Sequence, residues 1–145
     1  MKLVKVVAVS GGFDPIHVGH LRMFEAAKEL GDFLVVIINN DNWLKAKKGY
    51  MFMPEKERVE IIEAIKYVDA VMLTSHKKND KDTSVARELG WLNPTIFANG
   101  GDRKKAVTAE DKVCKLQGIK QVFGVGGGKV RSSSELVKKC LKWIK

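Results

Sequence analysis

The sequence predicts an α/β chain: a single domain built on a doubly wound, five-stranded parallel sheet. Short apolar runs and amphipathic stretches alternate along all 145 residues. The apolar runs are continuous, as strands covered on both faces are, rather than alternating. Four of the run ends are Gly-rich or polar, which is where open parallel sheets bind ligands.

Val4 to Val9 is largely β-branched, stops before Gly11-Gly12 and reads as a central strand. Asp14-Pro15 has the form of a helix start, with Asp14 as N-cap and Pro15 as the first helical residue. Leu21, Phe24, Ala27 and Leu30 give that helix its apolar face, and Gly31 ends it. Phe33 to Ile38 is a second strand, and Asn39 to Met53 reads as a polar, Lys-rich connection. Pro54 opens a helix with Glu55 and Glu57 in its first turn, where the dipole favours negative charge, and Ile61, Ile65 and Val68 as its buried stripe. Ala70 to Leu73 is a third strand, followed by a charged loop and a short helix carrying Val85, Ala86 and Leu89. Thr95 to Ala98 is a fourth strand, ending at Asn99-Gly100-Gly101-Asp102. Thr108-x-x-Asp111 reads as a capping-box start and Gly118 as that helix's stop. Ile119 to Val125 is the fifth strand. After Gly126-Gly127-Gly128, Ser132-x-x-Glu135 caps a last helix that would bury Leu136, Val137, Cys140, Leu141 and Ile144. Right-handed crossovers between such strands give a Rossmann-like sheet with helices on both faces.

Hydrophobic residues make up 45% of the chain, enough for a core, and 26 Lys and Arg against 17 Asp and Glu leave a formal charge of +9. That excess suits anionic partners: nucleic acid, an acidic membrane surface or phosphorylated small molecules. Cys114 and Cys140 form no CxxC pair and are too few for a disulfide framework, which points to reduced thiols and a cytoplasmic protein, with one lone disulfide as the alternative. Met1 to Val9 has a short apolar stretch interrupted by Lys5 and reads as a strand rather than a signal peptide. No apolar run approaches the ~20 residues that span a bilayer.

The segment Gly11-Gly12-Phe13-Asp14-Pro15-Ile16-His17-Val18-Gly19-His20 carries the strongest chemical signal. Two glycines after a strand let a phosphate approach the backbone, and a helix N-terminus adds free N–H groups. His17 and His20, three apart, fall on one side of the first turn, with Gly19 leaving room between them. Two imidazole donors there suit a phosphorus centre gaining charge. A zinc site would need a third ligand, and neither His76 nor a cysteine lies close in sequence, so no metal ligands are assigned. Gly126-Gly127-Gly128-Lys129 fails the P-loop pattern, because Phe123 and Val130 stand where Gly and Ser or Thr are required. Lys45 and Lys47 alternate on what reads as an extended loop, so both can face one phosphate.

Gly12-Phe13-Asp14-x-x-His17-x-Gly19-His20 resembles the HxGH signature of the nucleotidyltransferase superfamily. Arg131-Ser132-Ser133-Ser134 resembles its second signature, a Ser/Thr run opening the last helix. The middle of the chain is most similar to small cytidylyltransferases of the glycerol-3-phosphate type, in the lysines after the second strand, in Glu57-Arg58 and in Gly100-Gly101-Asp102. The resemblance implies that residues 1–145 form one nucleotidyltransferase domain, and a homodimer. It implies catalytic roles for His17, His20, Lys45 and Lys47, with Lys45 and Arg58 also meeting the acceptor. It implies that Gly12, Phe13, Asp14, Gly101 and Asp102 hold the nucleotide from the first and fourth strands. Ser132, Ser133 and Ser134 would hold it from the last helix. The cytidylyltransferases carry an Arg before the serines that this chain lacks, which leaves Lys129 or Arg131 to replace it. Arg103 stands where those enzymes often have an aromatic residue.

The implied reaction joins a nucleoside monophosphate from CTP, or ATP, to a polyol or sugar phosphate and releases pyrophosphate. Mg²⁺ is expected to travel mainly on the triphosphate, since no carboxylate cage is visible. Adenylyltransferases of the pantetheine-phosphate or nicotinamide-mononucleotide type are the alternative, and a non-catalytic nucleotide-binding module is another. A nucleic-acid binder is disfavoured by scattered lysines without aromatic interleaving, and no membrane partner is expected.

Overall fold

The computed structural model describes residues 3–101, 103, 105–128 and 131–144. Five parallel strands, β1 (Val6–Gly11), β2 (Phe33–Ile38), β3 (Ala70–Leu73), β4 (Ile96–Gly100) and β5 (Lys120–Val125), form one sheet in the order β3-β2-β1-β4-β5. Among the described residues, six helices lie between and after them: α1 (Val18–Glu29), α2 (Asp41–Lys48), α3 (Glu55–Glu63), α4 (Ala86–Leu92), α5 (Thr108–Gln117) and α6 (Ser133–Trp143). The strand order reverses at β1, which pairs with β2 on one side and β4 on the other. That places the switch point beyond Gly11 and Gly100.

Strand periodicity sorts the apolar residues onto two faces. Val7, Val9, Leu34, Val36 and Ile38 join Phe24 and Ala27 of α1 and Ile62 of α3 in one core. Ala8, Ile37 and Phe97 join Leu89 of α4 and Cys114 of α5 in the other. The sheet is therefore doubly wound, as expected, and the bounds of β2 and β3 match the sequence reading.

Several local expectations are corrected. The N-cap of α1 is His17, and Asp14 is spent elsewhere. The supposed connection after β2 contains α2, capped by the Asn40 side chain and ended by Gly49 at a φ of 77°. In α3 the buried positions are Arg58 and Ile62; Ile61 is exposed, while Ile65 and Val68, beyond the helix, still pack on the core. Thr108 is the first residue of α5, after an N-cap at Val107 with no side-chain bond, so there is no capping box. In α6 the Ser132 cap is present, but burial fades along the helix: Leu136 and Val137 are half-buried, and Cys140, Leu141 and Ile144 are exposed.

Two buried ionic groups fix the loops beyond β1 and β2. Arg58 is 1% exposed. Its Nη1 donates to the Gly12 carbonyl at 2.8 Å and the Asn39 carbonyl at 2.6 Å, its Nε to the Met53 carbonyl at 2.9 Å, and its Nη2 to Asp41 Oδ1 at 2.8 Å. Asp14, fully buried, accepts the backbone N–H groups of Phe52 and Met53 at 2.7 and 2.6 Å. Arg58→Met should lower the unfolding free energy by about 3–5 kcal/mol, because it strands the buried Asn39 carbonyl, two part-buried carbonyls and the Asp41 carboxylate. Urea titration checks this; a change under about 1 kcal/mol would show the lock to be dispensable.

Candidate active site

A cleft of about 340 Å³ opens over the switch point. β1, the turn after it and the start of α1 supply Gly11, Phe13, His17 and His20, and β4 with the residues after it supplies Asn99, Gly100, Gly101 and Arg103. Gly126 to Gly128 and residues 131–134 close it from the far end of the chain, and Lys48 reaches it from α2. The first and last signature segments, over a hundred residues apart, share one cavity. Ser133 Oγ joins them, donating to the Pro15 carbonyl at 2.7 Å.

The two histidines form the first turn of α1. His17 Nδ1 accepts the Gly19 N–H at 3.1 Å, and His20 Nδ1 accepts the His17 N–H at 3.1 Å. An Nδ1 that accepts carries no proton, so each neutral ring bears its hydrogen on Nε2. The rings stack with centroids 3.8 Å apart, and Phe13 packs edge-on against His20 at 4.9 Å. Phe13 holds a left-handed φ of 53°, which is costly for an aromatic, yet burial to 3% exposure pins it under His20. Burial, then the charges of His17 and Lys48, push the His20 pKa down to about 3. His20 is therefore a neutral hydrogen-bond donor at physiological pH.

Backbone closeness shapes the β4 side. A Cβ on Gly101 would sit 1.8 Å from the Gly127 carbonyl oxygen, so no side chain fits there. Ser132 Oγ caps α6 by accepting the Glu135 N–H, and Ser134 and Arg131 face the cleft beside it. Arg103 is held by Asn99 Oδ1 at 3.1 Å and Glu110 Oε1 at 3.2 Å.

The sequence-predicted residues divide. His17, His20, Phe13, Gly101, Arg131, Ser132, Ser133 and Ser134 line the cleft. Lys45 and Lys47 do not; they are exposed on α2, and two residues apart on a helix they point nearly opposite ways. The expected extended loop, with both lysines facing one phosphate, is thereby corrected. Lys48 lines the cleft instead. Burial, with the Arg58 charge, pulls its ammonium below the ordinary lysine value, while the Asp14 carboxylate opposes. The signal that reveals Lys48 is the cap pair Asn40 and Gly49, which makes the stretch a helix and places its last residue over the site. Arg58, Asp14 and Gly12 support the site from beneath: the first two lock the loops, and a Cβ on Gly12 would meet Leu44 at 3.0 Å. Asp102 and Lys129 lie outside the described residues.

The described lining residues include cations, hydroxyls, peptide N–H groups and imidazoles, but no carboxylate. Such a donor set suits polyphosphate and does not fit a protein-held Mg²⁺. Among the described residues no cluster of three metal-ligating side chains occurs, and no helix is long and apolar enough to cross a membrane.

His20 should remain unprotonated from pH 8 to about 4, with an NMR titration midpoint near 3 rather than near 6.5. The folded pKa lies below the unfolded one, so the unfolded chain binds the extra proton. The stability this neutral ring contributes is intact above about pH 6.5 and is lost as the pH falls toward 3. A midpoint above 6 in the folded protein would remove the neutral-donor assignment.

The cytidylyltransferase-like family profile matches residues 8–137. The bifunctional protein HldE of Streptomyces coelicolor is 38% identical over 120 residues, 81% of this chain and 25% of that protein. This chain thus spans about a quarter of HldE's length. The FAD synthase of Pyrococcus horikoshii is 37% identical over 114 residues, covering 78% of this chain and 72% of the synthase. A lipopolysaccharide core biosynthesis protein from Thermoplasma volcanium superposes with a TM-score of 0.68 at 26% identity, over 88% of this chain and all of that one. With a family match spanning most of its length, this chain belongs to the cytidylyltransferase-like family.

Proposed function

We propose that this enzyme transfers a nucleoside monophosphate from a nucleoside triphosphate to the phosphate of a small molecule, and that residues 1–145 act as one catalytic domain. The observation that carries this reading is the single cleft joining His17 and His20 to the N-terminus of α6, without a carboxylate among its described lining residues. An anionic oxygen of the acceptor phosphate attacks the α-phosphorus. The bond to the bridging oxygen of the β-phosphate breaks, and pyrophosphate leaves with the electron pair. The nucleophile is already deprotonated, so no general base or covalent nucleophile is required.

His17 and His20, through their Nε2 hydrogens, meet oxygens of the reacting phosphates as charge shifts toward the leaving group. Ser132, Ser133, Ser134 and Arg131, at the N-terminus of α6, hold the β- and γ-phosphates. Lys48, on the β2 side, draws the acceptor phosphate toward the α-phosphorus. Gly101 completes the nucleotide side, and the roles expected of Asp102 and Lys129 fall outside the described residues. Mg²⁺ enters as part of the nucleotide substrate.

The preferred donor is CTP and the preferred acceptor a polyol or sugar phosphate, as in the glycerol-3-phosphate cytidylyltransferases. The FAD synthases favour a second reading with ATP as donor, since FAD carries an adenylyl group. The free thiols Cys114 and Cys140 support a cytoplasmic setting.

Pyrophosphate release, measured with each of the four triphosphates against a panel of acceptor phosphates, tests the reading; no release from any pair would overturn it. In single-turnover assays His17→Ala, His20→Ala and Lys48→Met should each lower the rate about a hundredfold, the usual loss on removing one charge-stabilising donor. Lys45→Met and Lys47→Met should retain rates within about threefold, since a surface lysine outside the cleft makes only a screened, long-range contribution.

A further inference from the structure

Arg103 follows β4 and faces the cleft from the side opposite Lys48. One nitrogen, Nη1, donates both to Asn99 Oδ1 and to Glu110 Oε1. Glu110 is 3% exposed, and its other oxygen accepts the Val85 N–H, so the carboxylate holding Arg103 is itself fixed. The Nη2 and Nε hydrogens of Arg103 make no hydrogen bond to a described residue. A guanidinium so paired has most of its charge balanced, and it acts less as an anion trap than as an oriented row of donors. Lys48 forms no ion pair with a described residue and keeps its charge for an anion. The two sides of the switch point therefore differ: an unbalanced cation on the β2 side, and a balanced, hydrogen-bonding one on the β4 side.

Asn99 positions that donor row from behind. It is 3% exposed, its oxygen is taken by Arg103, and its Nδ2 is buried without an acceptor among the described residues. The Arg103 contact fixes which way this amide faces, because a flipped amide would set two donors against each other. Among the described residues, the side chain this wall turns to the cleft, Arg103, offers donors only. A base edge with two adjacent acceptors complements it: O2 and N3 of cytosine, or O6 and N7 of guanine. Adenine sets its amino group beside N1 and N7, and uracil sets N3–H between its carbonyls, so either base would bring a donor against a donor.

We propose that Arg103, positioned by Asn99 and Glu110, is a specificity-determining residue that reads the donor nucleotide's base and selects cytosine or guanine over adenine and uracil. The proposal rests on the nucleotidyltransferase reading and deepens it by naming the donor class.

Calorimetric dissociation constants for CTP, GTP, ATP and UTP test it, in wild type, Arg103→Ala and Arg103→Lys, with pyrophosphate release followed in parallel. Wild type is expected to bind CTP or GTP at least tenfold more tightly than both ATP and UTP. Arg103→Ala should reduce that ratio by about ten- to a hundredfold, the usual worth of one bidentate pair, while ATP affinity changes little. Arg103→Lys keeps a cation beside Glu110 but loses the fork; it should also lose selectivity, which preserves the test if the alanine variant fails to fold. Equal or tighter wild-type binding of ATP or UTP, no binding of any triphosphate, or an equal loss for all four in the variants overturns the proposal. Selective binding without pyrophosphate release would instead overturn the functional reading and leave the assignment of Arg103 standing.

Discussion

The geometry of the cleft depends on one buried guanidinium. Arg58 gathers the carbonyls of Gly12, Asn39 and Met53, which belong to three separate turns, and pairs with Asp41 at the start of α2. Asp14 completes the arrangement from the opposite sign, taking the N–H groups of Phe52 and Met53. Carbonyl ends that would otherwise face water are joined by a charged donor with several N–H groups, and the solvation lost on burying that charge is replaced by four short contacts. The consequence for the site is positional. The turn after β1 sets His17 and His20, α2 sets Lys48, and Arg58 holds both at a fixed separation without touching the cleft.

The sheet was legible because parallel strands covered on both faces leave a signal that local chemistry seldom imitates. Phe33 to Ile38 and Ala70 to Leu73 are continuous apolar runs bounded by polar residues, and both strands occupy those bounds. α2 was harder to read, because it buries only Leu44 and its remaining residues look like a solvated loop. Its caps, Asn40 and Gly49, were the readable evidence, and they speak only when composition does not drown them. Asp14 misled for a related reason. Asp before Pro commonly caps a helix, but two backbone donors more than thirty residues away compete for the same carboxylate. Nothing local announces that competition. Arg58 was misplaced because a buried arginine is defined by carbonyls from distant segments, and a sequence window contains none of them.

The histidines were readable as a pair, whereas their charge state was not. Spacing sets them on one turn, yet protonation follows from burial, from the neighbouring ring and from Lys48. A second charge on His20, stacked on His17 at 3.8 Å and near the Lys48 ammonium, would be repelled and poorly solvated, so His20 stays a neutral donor. A neutral donor there holds one charge state across physiological pH and needs no counter-ion. The last helix shows the converse case. Its apolar pattern is plain in the sequence, but α6 presses only its first turns onto the described chain, and Leu141 and Ile144 remain at the surface. Periodicity reports that a helix has an apolar face, and burial requires a surface to receive it.

Sheet topology then orders the site. Because β1 lies between β2 and β4, every group delivered by the β2 side meets a ligand at one end, and every group delivered by the β4 side meets it at the other. The first end carries Lys48 without an ion-pair partner among the described residues; the second carries Arg103 balanced by Glu110. A ligand with phosphate at one end and a polar, uncharged ring at the other matches that gradient. A ligand charged at both ends would leave the Glu110 carboxylate opposing one of its charges. The asymmetry of the cleft is in this sense a property of the strand order, and side chains at its two ends refine a polarity that the crossover connections establish.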